Sequence, residues 1–213
     1  MPLPALPTAR ADSARHQGVR RRNTMEKPEI KQPFLTDIKT LRERARQNIG
    51  DGGVTFTYEG DVKKAIDILQ SVLATELVCV LRYTMHAVAA SGISSEGVKA
   101  EFKQHAQEEH QHALQVAERI NQLGGTPNFN PEGLATRSAS EYGHADKLVE
   151  MIKENLIAER IAVDHYRELI RYFGDHDPGT RLLLSGILVV EEEHANDMHD
   201  LLVAHQGNPM LEK

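Results

Sequence analysis

A chain of 213 residues, 40% hydrophobic and with a formal net charge of −6, can bury one substantial core, and one domain plus a tail is the simplest division. It has no run of about 18 apolar residues and no apolar stretch at its start, which excludes a membrane span and a secretory signal and predicts a soluble, cytoplasmic protein with no membrane partner. The lone Cys79 cannot form an internal disulfide, the absence of Cys-x-x-Cys pairs argues against zinc ribbons and iron–sulfur centres, and the acidic balance disfavours nucleic acid as a partner for the body of the chain.

Residues 1–30 read as a disordered basic tail. Within residues 1–24, Arg10, Arg15, Arg20, Arg21 and Arg22 face a single acid, Asp12, and Pro2, Pro4 and Pro7 crowd the start. Three accounts fit it: an upstream extension ahead of an ordinary beginning at Met25-Glu-Lys-Pro, an electrostatic arm for DNA phosphates, or a transit peptide. Residues 31–59 form an accessory segment, with a short amphipathic helix predicted over about 35–49 and a break at Gly50-Asp-Gly-Gly. Residues 60–205 then carry four long helix-period stretches, roughly 61–90, 95–123, 145–173 and 179–205, and residues 206–213 form a short C-terminal tail. Ser94 is placed to cap the second helix, Gly124-Gly125 to end it, and Asp177-Pro178 to start the fourth. Short links make each pair of helices an antiparallel hairpin. The long link, 124–144, is rich in Pro, Asn, Gly and Ser and can cross the length of a bundle. The expected fold is all-α: a four-helix bundle of two hairpins with an extra N-terminal helix.

Two Glu-x-x-His motifs, Glu109 to His112 and Glu191 to His194, lie on the second and fourth helices. Each follows a lone glutamate on the preceding helix, Glu76 by 33 residues and Glu159 by 32, so one helix-pair motif occurs twice. A single Glu-x-x-His on a helix is ordinarily a solvated surface pattern, but here the phasing puts it inside. The first helix face reads Val62, Ile66, Leu69, Leu73, Glu76, Val80, Tyr83; the second reads Phe102, His105, Glu109, His112, Val116. The third reads Ile152, Asn155, Glu159, Ala162, Tyr166, and the fourth Leu184, Ile187, Glu191, His194, Met198. Glu108, Glu154, Glu192 and Glu193 fall off these faces and read as solvated or interface charges.

An unpaired ionised carboxylate costs several kcal/mol to bury, so four of them in one bundle need compensation. Two divalent cations supply it, since four carboxylates and two neutral imidazoles around two such ions sum to zero charge. The ligand assignment is Glu76, Glu109 and His112 on one ion and Glu159, Glu191 and His194 on the other, with Glu109 and Glu191 bridging. Tyr83 and Tyr166, each seven residues past a lone glutamate, read equally as core tyrosines bonded to a buried group and as groups that orient a ligand or serve in redox chemistry. His105 is similarly ambiguous, and Cys79 reads as buried packing.

Thr-Glu76-Leu-Val with Tyr83 and His86-Ala, Glu109-x-x-His112-Ala, Leu-Ile-Ala-Glu159 with Arg167-Glu-Leu-Ile, and Glu191-Glu-Glu-His194 together resemble the ferritin-like di-iron proteins, bacterioferritin most of all, over roughly residues 60–203. The resemblance implies a ferritin-like four-helix bundle holding two Fe ions per subunit at a ferroxidase centre. The implied activity is oxidation of Fe(II) by O2 or H2O2, with ferric mineral stored inside a homo-oligomeric shell. Bacterioferritin's haem-ligating methionine is replaced by His110, which weighs against haem. Only nine residues follow Ala204, leaving no room for a fifth helix and favouring a Dps-like shell of twelve subunits over twenty-four. Dps-like proteins with bacterioferritin-type sites are expected to carry a cysteine pair near the metals, which Cys79 alone cannot supply. Manganese remains open, as in a di-manganese catalase, as does a peroxidase-type enzyme. A Dps-like shell that protects DNA through its Arg-rich tail is the rival from the binding class.

Overall fold

The computed structural model describes residues 36–47 and 49–206. The expectations for residues 1–30 and for 207–213 of the C-terminal tail lie outside the described residues. Among the described residues six α-helices follow one another: α1 (Ile38–Arg44), α2 (Val62–Ala89), α3 (Ser95–Gln122), α4 (Leu134–Arg137), α5 (Leu148–Phe173) and α6 (Pro178–Gln206), with a 3₁₀ turn at Ile49–Asp51. The chain divides between Leu41 and Arg42 into two compact units, and the bundle belongs wholly to the second.

The long helices form where their punctuation allows. Asp61 caps α2, its side chain accepting from the Lys64 amide at 3.0 Å. Helix α3 ends in a Schellman turn, with Gly124 at φ 83° and the Gly125 amide donating to the Ile120 carbonyl at 2.9 Å. A Cβ on Gly125 would meet Ile120 and Ile66 at 2.9–3.0 Å, so its lack of a side chain lets the turn close on the core. Asp177 caps α6, accepting from the Thr180 amide at 2.9 Å and the Thr180 hydroxyl at 2.6 Å, with Pro178 at the first helical position.

Three details depart from expectation. Ser94 stands at the N-cap of α3 without a side-chain bond, while Ser95 Oγ donates to the Gly92 carbonyl instead. Helix α1 is shorter than the segment 35–49, and none of its residues is buried, so packing does not extend it. Helix α5 starts at Leu148 rather than 145, and the Ala145 amide ahead of it donates to Glu154 Oε2 at 3.0 Å.

Helices α2 and α3 pack as one hairpin and α5 and α6 as the other, and contacts of α2 with α5 and α3 with α6 close the bundle. The crossover 124–144, which contains the one-turn α4, runs along α2 and is held there by polar side chains. Arg82 is 1% exposed, and its guanidinium donates to Asn155 Oδ1 (2.9 Å), Ser140 Oγ (2.9 Å) and the Glu141 carbonyl (3.0 Å). Ser71 Oγ donates to the Arg137 carbonyl, and Thr75 Oγ1 accepts from the Ala139 amide.

Apolar side chains gather in two clusters along the bundle. One contains Leu69, Leu73, Val116, Ile120, Leu184 and Ile187; the other contains Phe102, Met151, Ile152 and Met198. In all four helices the stretch between them carries acidic side chains. Among the described residues no helix is long and apolar enough to cross a membrane.

Asp177 is 2% exposed and also accepts from Arg119 Nη2 (2.8 Å) and from the Tyr58 hydroxyl (3.0 Å). Asp177→Ala removes the α6 cap and leaves those donors unpaired. Thermal or denaturant unfolding of the metal-free protein is expected to show a loss of about 2–4 kcal/mol.

Candidate metal centre

Between the two apolar clusters, α2 contributes Glu76, α3 Glu109 and His112, α5 Glu159, and α6 Glu191 and His194, all buried. The helical period brings these six side chains together, and they fall into two overlapping groups. Donor atoms of Glu76, Glu109, His112 and Glu191 lie within 4.8 Å of one another, and so do those of Glu109, Glu159, Glu191 and His194.

The shared members are the two motif glutamates, and each spans the gap. Glu109 presents Oε2 to His112 Nδ1 and Oε1 to His194 Nδ1, both at 3.5 Å. Glu191 presents Oε1 to His112 Nδ1 at 2.9 Å and Oε2 to His194 Nδ1 at 4.0 Å. Glu76 Oε2 lies 3.5 Å from His112 Nδ1, and Glu159 Oε2 lies 4.0 Å from His194 Nδ1. Donors about 2.1 Å from one ion stand roughly 3.0–3.4 Å apart in octahedral or tetrahedral arrangement, so these spacings suit first-row divalent metals.

The terminal carboxylates are clamped crosswise. Tyr83 of α2 donates to Glu159 Oε1 of α5, and Tyr166 of α5 donates to Glu76 Oε1 of α2, both at 2.5 Å. Each tyrosine therefore orients the glutamate of the opposite hairpin. Spacing along one helix pairs it with its own, and only the packing of α2 on α5 reveals the exchange.

Seven buried side-chain atoms of these six residues have no hydrogen-bond partner: Glu76 Oε2, both oxygens of Glu109, His112 Nδ1, Glu159 Oε2, Glu191 Oε1 and His194 Nδ1. Buried polar atoms are ordinarily satisfied. The outward oxygens of Glu76 and Glu159 are hydrogen-bonded and the inward ones are orphaned, which is the pattern of a donor set arranged around cations. The residues present fit two metal ions.

Without cations the site must hold protons. Burial and the neighbouring Glu109 push the Glu76 carboxyl up to about 8. Burial also raises Glu159 and Glu191, with Glu109 adding to both. Burial acts on Glu109 in the same sense, but its contacts with His112 and His194 hold it below the ordinary carboxylate range. Burial favours neutral rings at His112 and His194, yet their carboxylate contacts raise them to about 12 and about 9.

Two glutamates that fall off the apolar faces in the sequence engage buried groups in the fold. Glu108, read there as a solvated or interface charge, is half-buried with its Oε2 2.9 Å from His194 Nε2, fixing the ring from its far side. Glu154 is likewise engaged, holding the Ala145 amide and facing His86 Nε2 at 3.4 Å. His105 is fully buried, stacked on His194 at 3.9 Å between ring centroids, and held neutral by burial, which pushes it down to about 3. The spacing of 101, 105 and 108 on one face of α3 was the available signal. His110 is exposed and outside the cluster, and Cys79 is buried against Arg82 Nη2 at 3.3 Å.

Fold and site together define a four-helix carboxylate–histidine bundle. The ferritin-like domain profile matches residues 66–206, and the chain belongs to the ferritin-like family. Among curated proteins it is 28% identical over 145 residues to the "DNA protection during starvation protein" of Pyrococcus furiosus, covering 67% of this chain and 78% of that one. Among solved structures it is similar to a dodecameric thioferritin, a bacterioferritin-related protein of Bacteroides fragilis. That match has 30% identity and a TM-score of 0.66 and covers 73% of this chain and 94% of the other. A ferritin-like, diiron-carboxylate protein of Bacillus anthracis gives 26% identity and a TM-score of 0.59, covering 66% and 96%.

Cation loading requires His112 and His194 to give up the protons that their raised pKa values place on them at neutral pH. Protons therefore compete with the metal, and apparent affinity falls as pH is lowered. Calorimetric titration with Zn(II) in two buffers of different protonation enthalpy is expected to show release of at least about two protons per loaded centre.

Proposed function

We propose that the chain is a ferroxidase that detoxifies and stores iron, oxidising Fe(II) with O2 or H2O2 at the six-residue centre within a homo-oligomeric shell in the cytoplasm. The observation that carries this reading is the set of seven orphaned, inward-facing donor atoms on six buried residues. Glu76, Glu109 and His112 would hold one iron and Glu159, Glu191 and His194 the other, with Glu109 and Glu191 spanning both.

Hard carboxylate oxygens with imidazole nitrogen suit iron or manganese, and the family relationship favours iron. Two Fe(II) lose one electron each, and O2 takes the pair with two protons as hydrogen peroxide. Four carboxylates balance two divalent ions, whereas two trivalent ions leave a surplus of +2. That surplus draws hydroxide from water or expels the product, so the protein's charge favours turnover over permanent retention of Fe(III).

The protein's own groups prepare this step. Tyr83 and Tyr166 lock the outer oxygens of Glu159 and Glu76, leaving one inward oxygen on each. Glu108 turns His194 so that Nδ1 faces the centre. The apolar clusters on either side keep bulk water out. A shell of twelve is supported by the dodecameric relative and by exposed apolar side chains such as Val88, Ile157, Leu182 and Val189 that assembly would cover.

Purified protein supplied with Fe(II) in air is expected to form Fe(III) in a fast phase of about two irons per chain, and Glu109→Ala to slow that phase by about 100-fold or more. An undiminished initial rate in the variant would sink the proposal. Manganese recovered in place of iron from native protein would redirect it to the di-manganese reading.

The name of the Pyrococcus relative and the arginines at positions 10, 15 and 20–22 favour a second reading, in which the shell also associates with DNA through its basic N-terminal segment. Retention of duplex DNA is then expected to fall steeply with salt and to disappear on deletion of residues 1–24. Retention that survives the deletion would remove the arm from the account.

A further inference from the structure

A second cluster of metal-capable groups lies one turn along α3 from the centre. His105 Nε2 is 3.3 Å from Glu101 Oε1, one turn earlier on α3, and 3.5 Å from Asp197 Oδ2 on α6. Among the described residues these three form a separate candidate group, donor atoms within 4.8 Å of one another.

The protonation of His105 is dictated by its other nitrogen. Tyr83 has one hydroxyl proton, and it is committed to Glu159 Oε1. The Tyr83 oxygen, 3.1 Å from His105 Nδ1, can then only accept, so Nδ1 carries the ring's proton. In the neutral ring Nε2 is left with a lone pair. That nitrogen is buried, has no hydrogen-bond partner, and lies beside two carboxylates.

We infer that Glu101, His105 and Asp197 form a third, mononuclear site for a divalent first-row cation. One imidazole and two carboxylates balance a +2 ion. Their spacings of 3.3 and 3.5 Å suit donors about 2.1 Å from one metal. The Glu101 and Asp197 side chains are 32% and 35% exposed, so water can complete the coordination and the cation can come and go. The stack of His105 on His194, with Glu108 beside both, gives the site a role in staging cations for the centre. That role, though not the site itself, rests on reading the six-residue centre as the place of metal binding.

The test is equilibrium dialysis of the full-length protein against Zn(II), which binds such donors without redox chemistry. Three ions per chain are expected for the wild type, two for Glu101→Gln/Asp197→Asn, and one for Glu109→Ala. Because both exchanged side chains are half-exposed, the amides leave the core intact; Asp197→Asn alone serves if the double variant fails to fold. Two ions in both the wild type and the double variant would overturn the third site and leave the centre standing. A wild-type count in Glu109→Ala, with one ion lost from the double variant, would overturn the centre and leave the third site standing.

Discussion

The cost of placing ionisable groups in an apolar interior governs this structure. Glu76, Glu109, Glu159 and Glu191 are each about 1% exposed or less, and they sit where the bundle would otherwise join its two apolar clusters into one. An unpaired carboxylate there costs several kcal/mol, and only counter-charge of about +4 relieves all four together. Without metal, protons and imidazolium rings supply that charge, which is why the pKa values of adjacent groups diverge so widely. Two divalent cations bound there would supply it instead and release those protons, so that binding and protonation would be one equilibrium.

The surrounding polar groups hold the outer face of Glu76, Glu159 and His194 and leave the inner face free. Tyrosines from opposite hairpins cross the bundle to bond the terminal glutamates, and Glu108 holds the far nitrogen of His194. Tyr83 serves twice, since by donating to Glu159 it also sets the tautomer of His105 and turns that ring's free nitrogen towards Glu101 and Asp197. One hydroxyl proton thus links the buried centre to the half-exposed acids. Membership of the ferritin-like family agrees with the arrangement of the six buried residues, but the lone buried Cys79, hydrogen-bonded by Arg82, provides no cysteine pair beside the candidate centre.

Much of this was legible along the chain because a long amphipathic helix has a regular period. Glu76, Glu109, His112, Glu159, Glu191 and His194 each interrupt an apolar face, so their convergence follows from phase alone. The long helices begin and end within a few residues of expectation because Asp61, Gly124, Asp177 and Pro178 act locally. What depended on partners distant in sequence was not legible. Arg82 lies off the first apolar face yet is buried, since its donors meet Asn155, Ser140 and Glu141 only when the crossover folds back on α2. Glu154 looks solvated until the loop before α5 brings the Ala145 amide to it.

The sequence by itself determined the four helices, the pairing of each hairpin and the six inward-facing ligand candidates, because period, capping and loop length are properties of neighbouring residues. The tertiary structure alone decided which tyrosine clamps which glutamate, which oxygens stay unpaired, and that His105 turns its free nitrogen to Asp197 across the bundle. Those choices belong to contacts between hairpins, where a hydrogen-bond partner is found by packing and not by position in the chain.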